Sequence, residues 1–207
     1  CDDFLRSIGV APVAGARRIS LFAYENTALG SWLHALSHGA QPTQLLVPEG
    51  RILSSLQAWL GGAALQVGDT VQRGQLHVQV LPFVQQDQYD RLLWSCDFNA
   101  VRGEDSFVRA QWAGRPLLWH IYQQADDVHL EKLNAFLELY KEGLSADAQA
   151  AHVRAAGGVV AVGDEHRVAD EGDASNEQDV ARIDDAVLAH DDDHVVRCVR
   201  RAEVDQL

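Results

Sequence analysis

The run Arg102-Gly103-Glu104-Asp105-Ser106 sets a guanidinium, a turn-permitting glycine, two carboxylates and a hydroxyl in five consecutive positions. It follows the strand-like Phe98–Val101, and a helical pattern starts near Glu104. A helix start presents unpaired backbone N–H groups and the positive end of the macrodipole, a combination that favours anions. Arg102 would add a planar, two-pronged cation. The chemistry on offer is capture of a diphosphate. Glu104 and Asp105 would repel that group if they faced it. They are better read as acceptors for sugar hydroxyls or backbone amides, or as supports for Arg102. A purely structural reading stands beside this one: acidic residues in a first helical turn stabilise the helix by ~0.3–1 kcal/mol without any ligand. Ser106 can likewise be a local hydrogen-bonding group.

Tyr24, Phe83, Gln86 and Tyr122 also lie at or just beyond the ends of strand-like runs. A nucleotide base could stack on Tyr24 or Phe83, a contact worth ~1–3 kcal/mol per base in single-stranded nucleic-acid complexes. Gln86 carries the donors and acceptors to read a base or ribose edge, and the Tyr122 hydroxyl could meet a phosphate. Each has an ordinary alternative: Phe83 as core at the base of its loop, Tyr122 as a boundary tyrosine with a satisfied hydroxyl. Other reactive side chains carry less. His34, His38, His77, His120 and His129 fall in different elements without ligand spacing, which argues against a zinc site. No serine sits in a nucleophile elbow. Cys96 reads as a small buried hydrophobe.

The elements that must position these residues are legible. Apolar runs at Ile19–Tyr24, Gln44–Val47, Leu76–Leu81, Phe98–Val101 and Leu117–Tyr122 have the length of buried parallel strands. Between them lie apolar stripes at helical spacing: Leu29/Trp32/Leu33/Leu36, Ile52/Leu56/Trp59/Leu60, and Tyr89/Leu92/Leu93. The last stripe is Leu130/Leu133/Phe136/Leu137/Tyr140, in a helix capped by Asp126 or Asp127 and ending near Gly143. Alternation of this kind predicts an α/β domain, a Rossmann-like parallel sheet with helices on both faces. Ligands of such sheets bind beyond the carboxyl ends of the strands. That rule nominates the loops Tyr24-Glu25-Asn26, Pro48-Glu49-Gly50, Pro82–Gln86, Arg102–Ser106 and Tyr122-Gln123-Gln124.

Every Phe, Trp and Tyr of the 207 residues lies at or before Tyr140. From about Ala151 onward there are 6 Arg against 14 Asp and Glu, so this segment supplies −8 of the net −13. Two domains of unlike character are therefore expected: residues 1–150 as the folded domain, and residues 151–207 as an acidic tail, poorly structured or read in a shifted frame. Within the tail, His190-Asp191-Asp192-Asp193-His194 reads as a solvated acidic run rather than a metal site. The charge argues against nonspecific binding to nucleic acid or to an anionic membrane. Cys1, Cys96 and Cys198 are odd in number and widely spaced, which fits a reducing cytoplasmic setting. A sequence that starts at Cys1 and contains no methionine reads as a fragment.

Several unusual strings recur in order in one known family. Ile19–Asn26, Leu81-Pro82-Phe83, Tyr89–Trp94, Arg102–Gly114 and Leu118–Tyr122 resemble the elongation factor P arginine rhamnosyltransferases, the EarP family. The resemblance runs from about Phe4 to about Ala148 and corresponds to the family's C-terminal domain. It implies the donor half of a GT-B glycosyltransferase that moves rhamnose from dTDP-L-rhamnose to an arginine of elongation factor P, with inversion and without a metal or other cofactor. It also implies that Tyr24, Phe83, Gln86, Arg102, Gly103, Glu104, Asp105, Ser106 and Tyr122 bind the donor. Arg102 and Asp105 are implied to matter for activity, and the general base is expected in the N-terminal half. Without that half, the expectation is donor binding and no transfer. Two other functions fit the same residues: a donor domain for another nucleotide sugar such as a UDP-linked hexose, and a non-catalytic nucleotide-binding module.

Overall fold

A computed structural model describes residues 1–122, 124, 128–140 and 146. The acidic segment 151–207, Gln123, the capping candidates Asp126 and Asp127, and Gly143 lie outside the described residues.

The elements run α1 (Asp2–Ser7), β1 (Arg17–Leu21), α2 (Leu29–Ser37), β2 (Thr43–Pro48), α3 (Leu53–Trp59), β3 (Thr70–Arg73), β4 (Leu76–Leu81), α4 (Gln86–Trp94), β5 (Phe98–Arg102), α5 (Gly103–Trp112), β6 (Leu117–His120) and α6 (Val128–Tyr140). The six strands form one sheet in the order β3-β4-β2-β1-β5-β6. Every pairing is parallel except β3 with β4, where Thr70–Arg73 runs back along Leu76–Gln79. The five expected strands are present, and β3 adds an antiparallel edge that the sequence reading did not anticipate. Two of the expected strands are also shorter. β1 ends at Leu21, with Phe22 N–H still donating to the Ala100 carbonyl, and β6 ends at His120, so Ala23–Tyr24 and Ile121–Tyr122 leave the sheet.

Alternation along the strands sends side chains to opposite faces, and each face has its own helical cover. On one, Ile19, Leu21, Leu45, Val47, Leu76, Val78, Phe98 and Ala100 meet Leu29, Leu33 and Leu36 of α2 and Leu56 of α3. On the other, Leu46, Leu81, Val101, Leu117 and Trp119 meet α1, α4, α5 and α6 through Leu5, Leu92, Leu93, Ala110, Leu133 and Leu137. Leu33, Leu45, Leu56 and Leu92 are completely buried, each contributing about 2 kcal/mol by removal of apolar surface from water.

The second face also carries a polar row. Ser20, Gln44, Gln79 and Asn99 are buried there. Ser20 donates to Asn99 Oδ1 at 2.6 Å across the β1–β5 seam, and Asn99 donates to the Leu93 carbonyl. Gln79 donates to the Gly9 carbonyl at 2.7 Å and accepts from Ala11 N–H. Gln44 donates to the Ala11 carbonyl at 2.8 Å and accepts from Val13 N–H. Two side-chain amides thus hold residues 9–13 against the sheet.

Candidate functional site

From β1 the chain builds outward on one side through β2 and β4, then crosses to β5 and β6 on the other. The reversal falls between β1 and β5, and the crevice beyond their carboxyl ends is where a doubly wound sheet takes its ligand. Arg102, the last residue of β5, and Phe22 and Tyr24, just past β1, meet there.

The Arg102 guanidinium lies 4.5 Å from the Phe22 ring centroid and 4.9 Å from that of Tyr24. Its Nε is buried without a hydrogen-bond partner. Among the described residues no carboxylate reaches ion-pair distance of it. A weakly hydrated guanidinium is held this way by aromatic faces, with its charge left available. Phe22 in turn meets Tyr89 edge-on at 5.7 Å. Burial pushes the Tyr89 phenol up, with the Ser106 side chain and the Arg102 charge opposing.

Arg102 is extended (φ −123°, ψ 162°) and precedes Gly103 at φ +65°, a left-handed conformation that favours glycine. The chain then enters α5 directly. Trp119 Nε1 donates to the Gly103 carbonyl at 2.8 Å, and its ring stacks on Phe107 at 3.9 Å, so β6 anchors the head of α5. The helix start is therefore fixed beside Arg102, as the spacing predicts.

Glu104 and Asp105 are exposed, and neither supports Arg102. Glu104 pairs with Lys132 of α6 at 3.5 Å. Asp105 accepts from Arg109 Nε at 3.0 Å, while Arg109 Nη1 grips both oxygens of Asp90 at 2.8 Å. That pair ties α5 to α4 and holds the Asp105 carboxylate to its own helix.

Tyr24 is the hub of the remaining contacts. Its ring meets His120 at 5.3 Å and Tyr122 at 5.7 Å, both edge-on. Its hydroxyl stands 3.7 Å from where a β-carbon on Gly103 would lie. Tyr122 is 60% exposed. Phe83 is 71% exposed and touches Phe22 edge-on at 6.5 Å. It is not core, so the alternative reading of that residue is excluded. Gln86 is exposed at the first turn of α4, on the same loop as Phe83. The structure thus gathers Tyr24, Phe83, Arg102, Gly103 and Tyr122 at one crevice and places Glu104, Asp105 and Ser106 along the first turn of α5 beside it.

Three further residues belong to the cluster. Phe22 supports Arg102. His120 faces Arg102 in the β5–β6 register and is pulled down to about 4, chiefly by burial, with the Arg102 charge acting the same way and Glu25 opposing. It is uncharged at neutral pH. Arg51, just after β2, lies over Tyr24 at 5.6 Å and pairs with Glu25 at 2.8 Å. Phe22 lies inside the Ile19–Asn26 string and His120 inside the Leu118–Tyr122 string, whereas Arg51 falls one residue past the nominated loop Pro48-Glu49-Gly50. Among the described residues no three His, Cys, Asp or Glu side chains come together as a metal would require.

Fold and site define a doubly wound α/β domain with an arginine-bearing, aromatic-lined crevice at its switch point. The chain belongs to the EarP family, described as elongation-factor P (EF-P) rhamnosyltransferase, whose model matches residues 1–182. It is 65% identical over 148 residues to a protein-arginine rhamnosyltransferase of Pseudomonas putida, covering 72% of this chain and 39% of that protein. The corresponding protein of Pseudomonas aeruginosa is 65% identical over 146 residues, covering 70% and 39%. A solved structure from work on the structural basis for EarP-mediated arginine glycosylation of translation elongation factor EF-P superposes with a TM-score of 0.69 at 47% identity. That match covers 97% of this chain and 65% of the solved one. The chain therefore spans about two fifths of the length of the curated relatives it matches.

Proposed function

We propose that residues 1–150 bind dTDP-L-rhamnose and form the donor half of a protein-arginine rhamnosyltransferase that modifies elongation factor P. The observation that carries this reading is Arg102: a guanidinium seated on two aromatic rings, without a carboxylate partner among the described residues, at the head of a helix in the switch-point crevice. A diphosphate there meets Arg102 and the first N–H groups of α5. Phe83, exposed on the adjoining loop, offers a stacking face for the base, and Gln86 a hydrogen-bonding edge. Tyr24 and Tyr122 border the phosphates. Asp105, with Glu104 and Ser106 on the same turn, faces the sugar.

In transfer, the bond from the sugar's anomeric carbon to the diphosphate breaks and negative charge grows on the leaving oxygens. Arg102 and the helix head stabilise that charge more in the transition state than in the ground state, and so accelerate the step. The attacking guanidine and the base that takes its proton would come from outside this domain.

Calorimetric titration of the 207-residue chain with dTDP, with UDP as competitor and Arg102→Ala as control, tests the reading. Preference for dTDP and a loss of at least about tenfold in the variant are expected, since hydrogen bonds to charged groups contribute ~1.5–3 kcal/mol. Preference for UDP would point to a different nucleotide sugar. Unchanged affinity in the variant would remove the diphosphate from this turn. With dTDP-L-rhamnose and elongation factor P added, the chain by itself is expected to give no rhamnosylated product, detected as a mass increase on the acceptor.

A further inference from the structure

The crevice holds a second cation besides Arg102. The guanidinium carbons of Arg51 and Arg102 lie 5.6 Å and 4.9 Å from the same Tyr24 ring centroid, although they come from the loop after β2 and the end of β5. Strands β2 and β5 flank β1 on either side, so the two arginines approach Tyr24 from the two halves of the sheet. They differ in occupancy. Arg102 has no carboxylate partner among the described residues, whereas Arg51 is engaged by both oxygens of Glu25, at 3.0 Å and 2.8 Å.

Glu25 is an odd residue to find beside an anion site. It follows Tyr24 directly, its charge is felt by Arg102 and His120, and it is held below the usual carboxylate range by hydrogen bonding to its own backbone and by Arg51. A bare carboxylate there would repel a diphosphate. Its loop is pinned: Asn26 N–H donates to Ser55 Oγ of α3, and Asn26 Oδ1 accepts from Ala28 N–H at the start of α2. Arg51 sits on a flexible stem and is more than half exposed, so the arginine is the partner able to move.

We propose that Arg51 is a second phosphate-contacting cation of this crevice and that Glu25 is its resident counter-ion, holding the guanidinium beside Tyr24 until a nucleoside diphosphate draws it away. This rests on the donor-binding reading above. Binding then exchanges one charge-assisted pair for another, and a solvent-exposed pair costs little to break. The arrangement discriminates on phosphate: a nucleoside gives Arg51 nothing to leave Glu25 for.

The two partners should therefore respond with opposite sign. With dTDP as the probe, Arg51→Gln is expected to weaken binding about tenfold, the scale of one lost hydrogen bond to a charged group. Glu25→Gln frees the arginine and removes a repelling charge, and should tighten dTDP binding by up to about fivefold. Thymidine should bind all three proteins alike. Arg51→Lys, which keeps the charge and loses the fork, should fall between wild type and Arg51→Gln. The inference is overturned if Glu25→Gln weakens dTDP along with Arg51→Gln, or if Arg51→Gln weakens thymidine as much as dTDP; either result would make the pair a staple for Tyr24. Thermal melting of each variant checks that both exposed substitutions leave the fold intact. Wild-type binding and the Arg102→Ala control separate this from the underlying reading. If the wild type ignores dTDP or Arg102→Ala retains it, the crevice assignment falls and this inference with it. If both controls behave and Arg51→Gln binds like wild type, only the second cation is lost.

Discussion

At the residue scale, the crevice is a set of charges whose neighbours decide how they are used. Arg102 and Arg109 sit seven residues apart at the two ends of one turn-and-helix unit. Arg109 is consumed by Asp90 and Asp105, while Arg102 lies over the Phe22 and Tyr24 rings without a carboxylate partner among the described residues. His120 is the other residue whose state is set by its surroundings. Its folded value near 4 lies below the ordinary 6.5, so the unfolded chain binds a proton first as pH falls. The associated stability is complete above about pH 6.5 and is lost progressively toward pH 4. At pH 5 the loss is about 2 kcal/mol, from ~1.4 kcal/mol per unit. Urea denaturation of wild type and His120→Phe at pH 7 and pH 5 checks this: the variant should lose less stability across the interval. Equal losses would show that burial does not depress His120 and that it titrates in the folded protein as it does in the unfolded chain.

At the element scale, the head of α5 depends on one backbone conformation. Gly103 holds φ +65°, and a β-carbon there would find ordinary contact with the Tyr24 hydroxyl at 3.7 Å, so space is not the obstacle. The obstacle is the left-handed conformation, which costs an L residue ~1–2 kcal/mol. Gly103→Ala is expected to lose that much stability in denaturant titration and to weaken dTDP binding as the helix start shifts. Wild-type stability would mean that the turn relaxes freely.

The elements themselves were legible to an unequal degree, for physical reasons. The parallel strands announce themselves because both their faces are buried: Thr43–Pro48 is buried at every position. Strand β3 does not, because Thr70–Arg73 is largely exposed and is held by backbone pairing to β4, which leaves no apolar pattern to read. The carboxyl-end rule found the loops carrying Tyr24, Phe83, Arg102 and Tyr122. It could not separate a core Phe83 from an exposed one, because one phenylalanine after a strand satisfies both patterns. Nor could it foresee that Glu104 and Asp105 would be paired with Lys132 and Arg109, residues that only tertiary packing or the helical repeat brings to them.

At the scale of the whole molecule, the sheet is a platform on which the first residues of the chain are strapped. Gln79 and Gln44 each hold two backbone groups of residues 9–13, and both bond to Ala11. Replacing either by leucine removes two part-buried hydrogen bonds, a loss of about 1–3 kcal/mol. Because the two straps share a residue, the double variant should lose less than the sum of the singles. Denaturant titration of the four proteins in that cycle measures the coupling, and simple additivity would show two independent anchors.

The seam between β1 and β5 has a consequence for how the protein is made. Ser20 and Asn99, bonded across it, are 79 residues apart in the chain. A ribosome adding ~5–20 residues per second needs on the order of ten seconds to travel that distance. Throughout that interval β1 can pair with β2 but not with β5, so the middle of the future sheet is a raw edge on the nascent chain. The switch-point crevice, which takes one wall from each strand, cannot form until β5 has emerged.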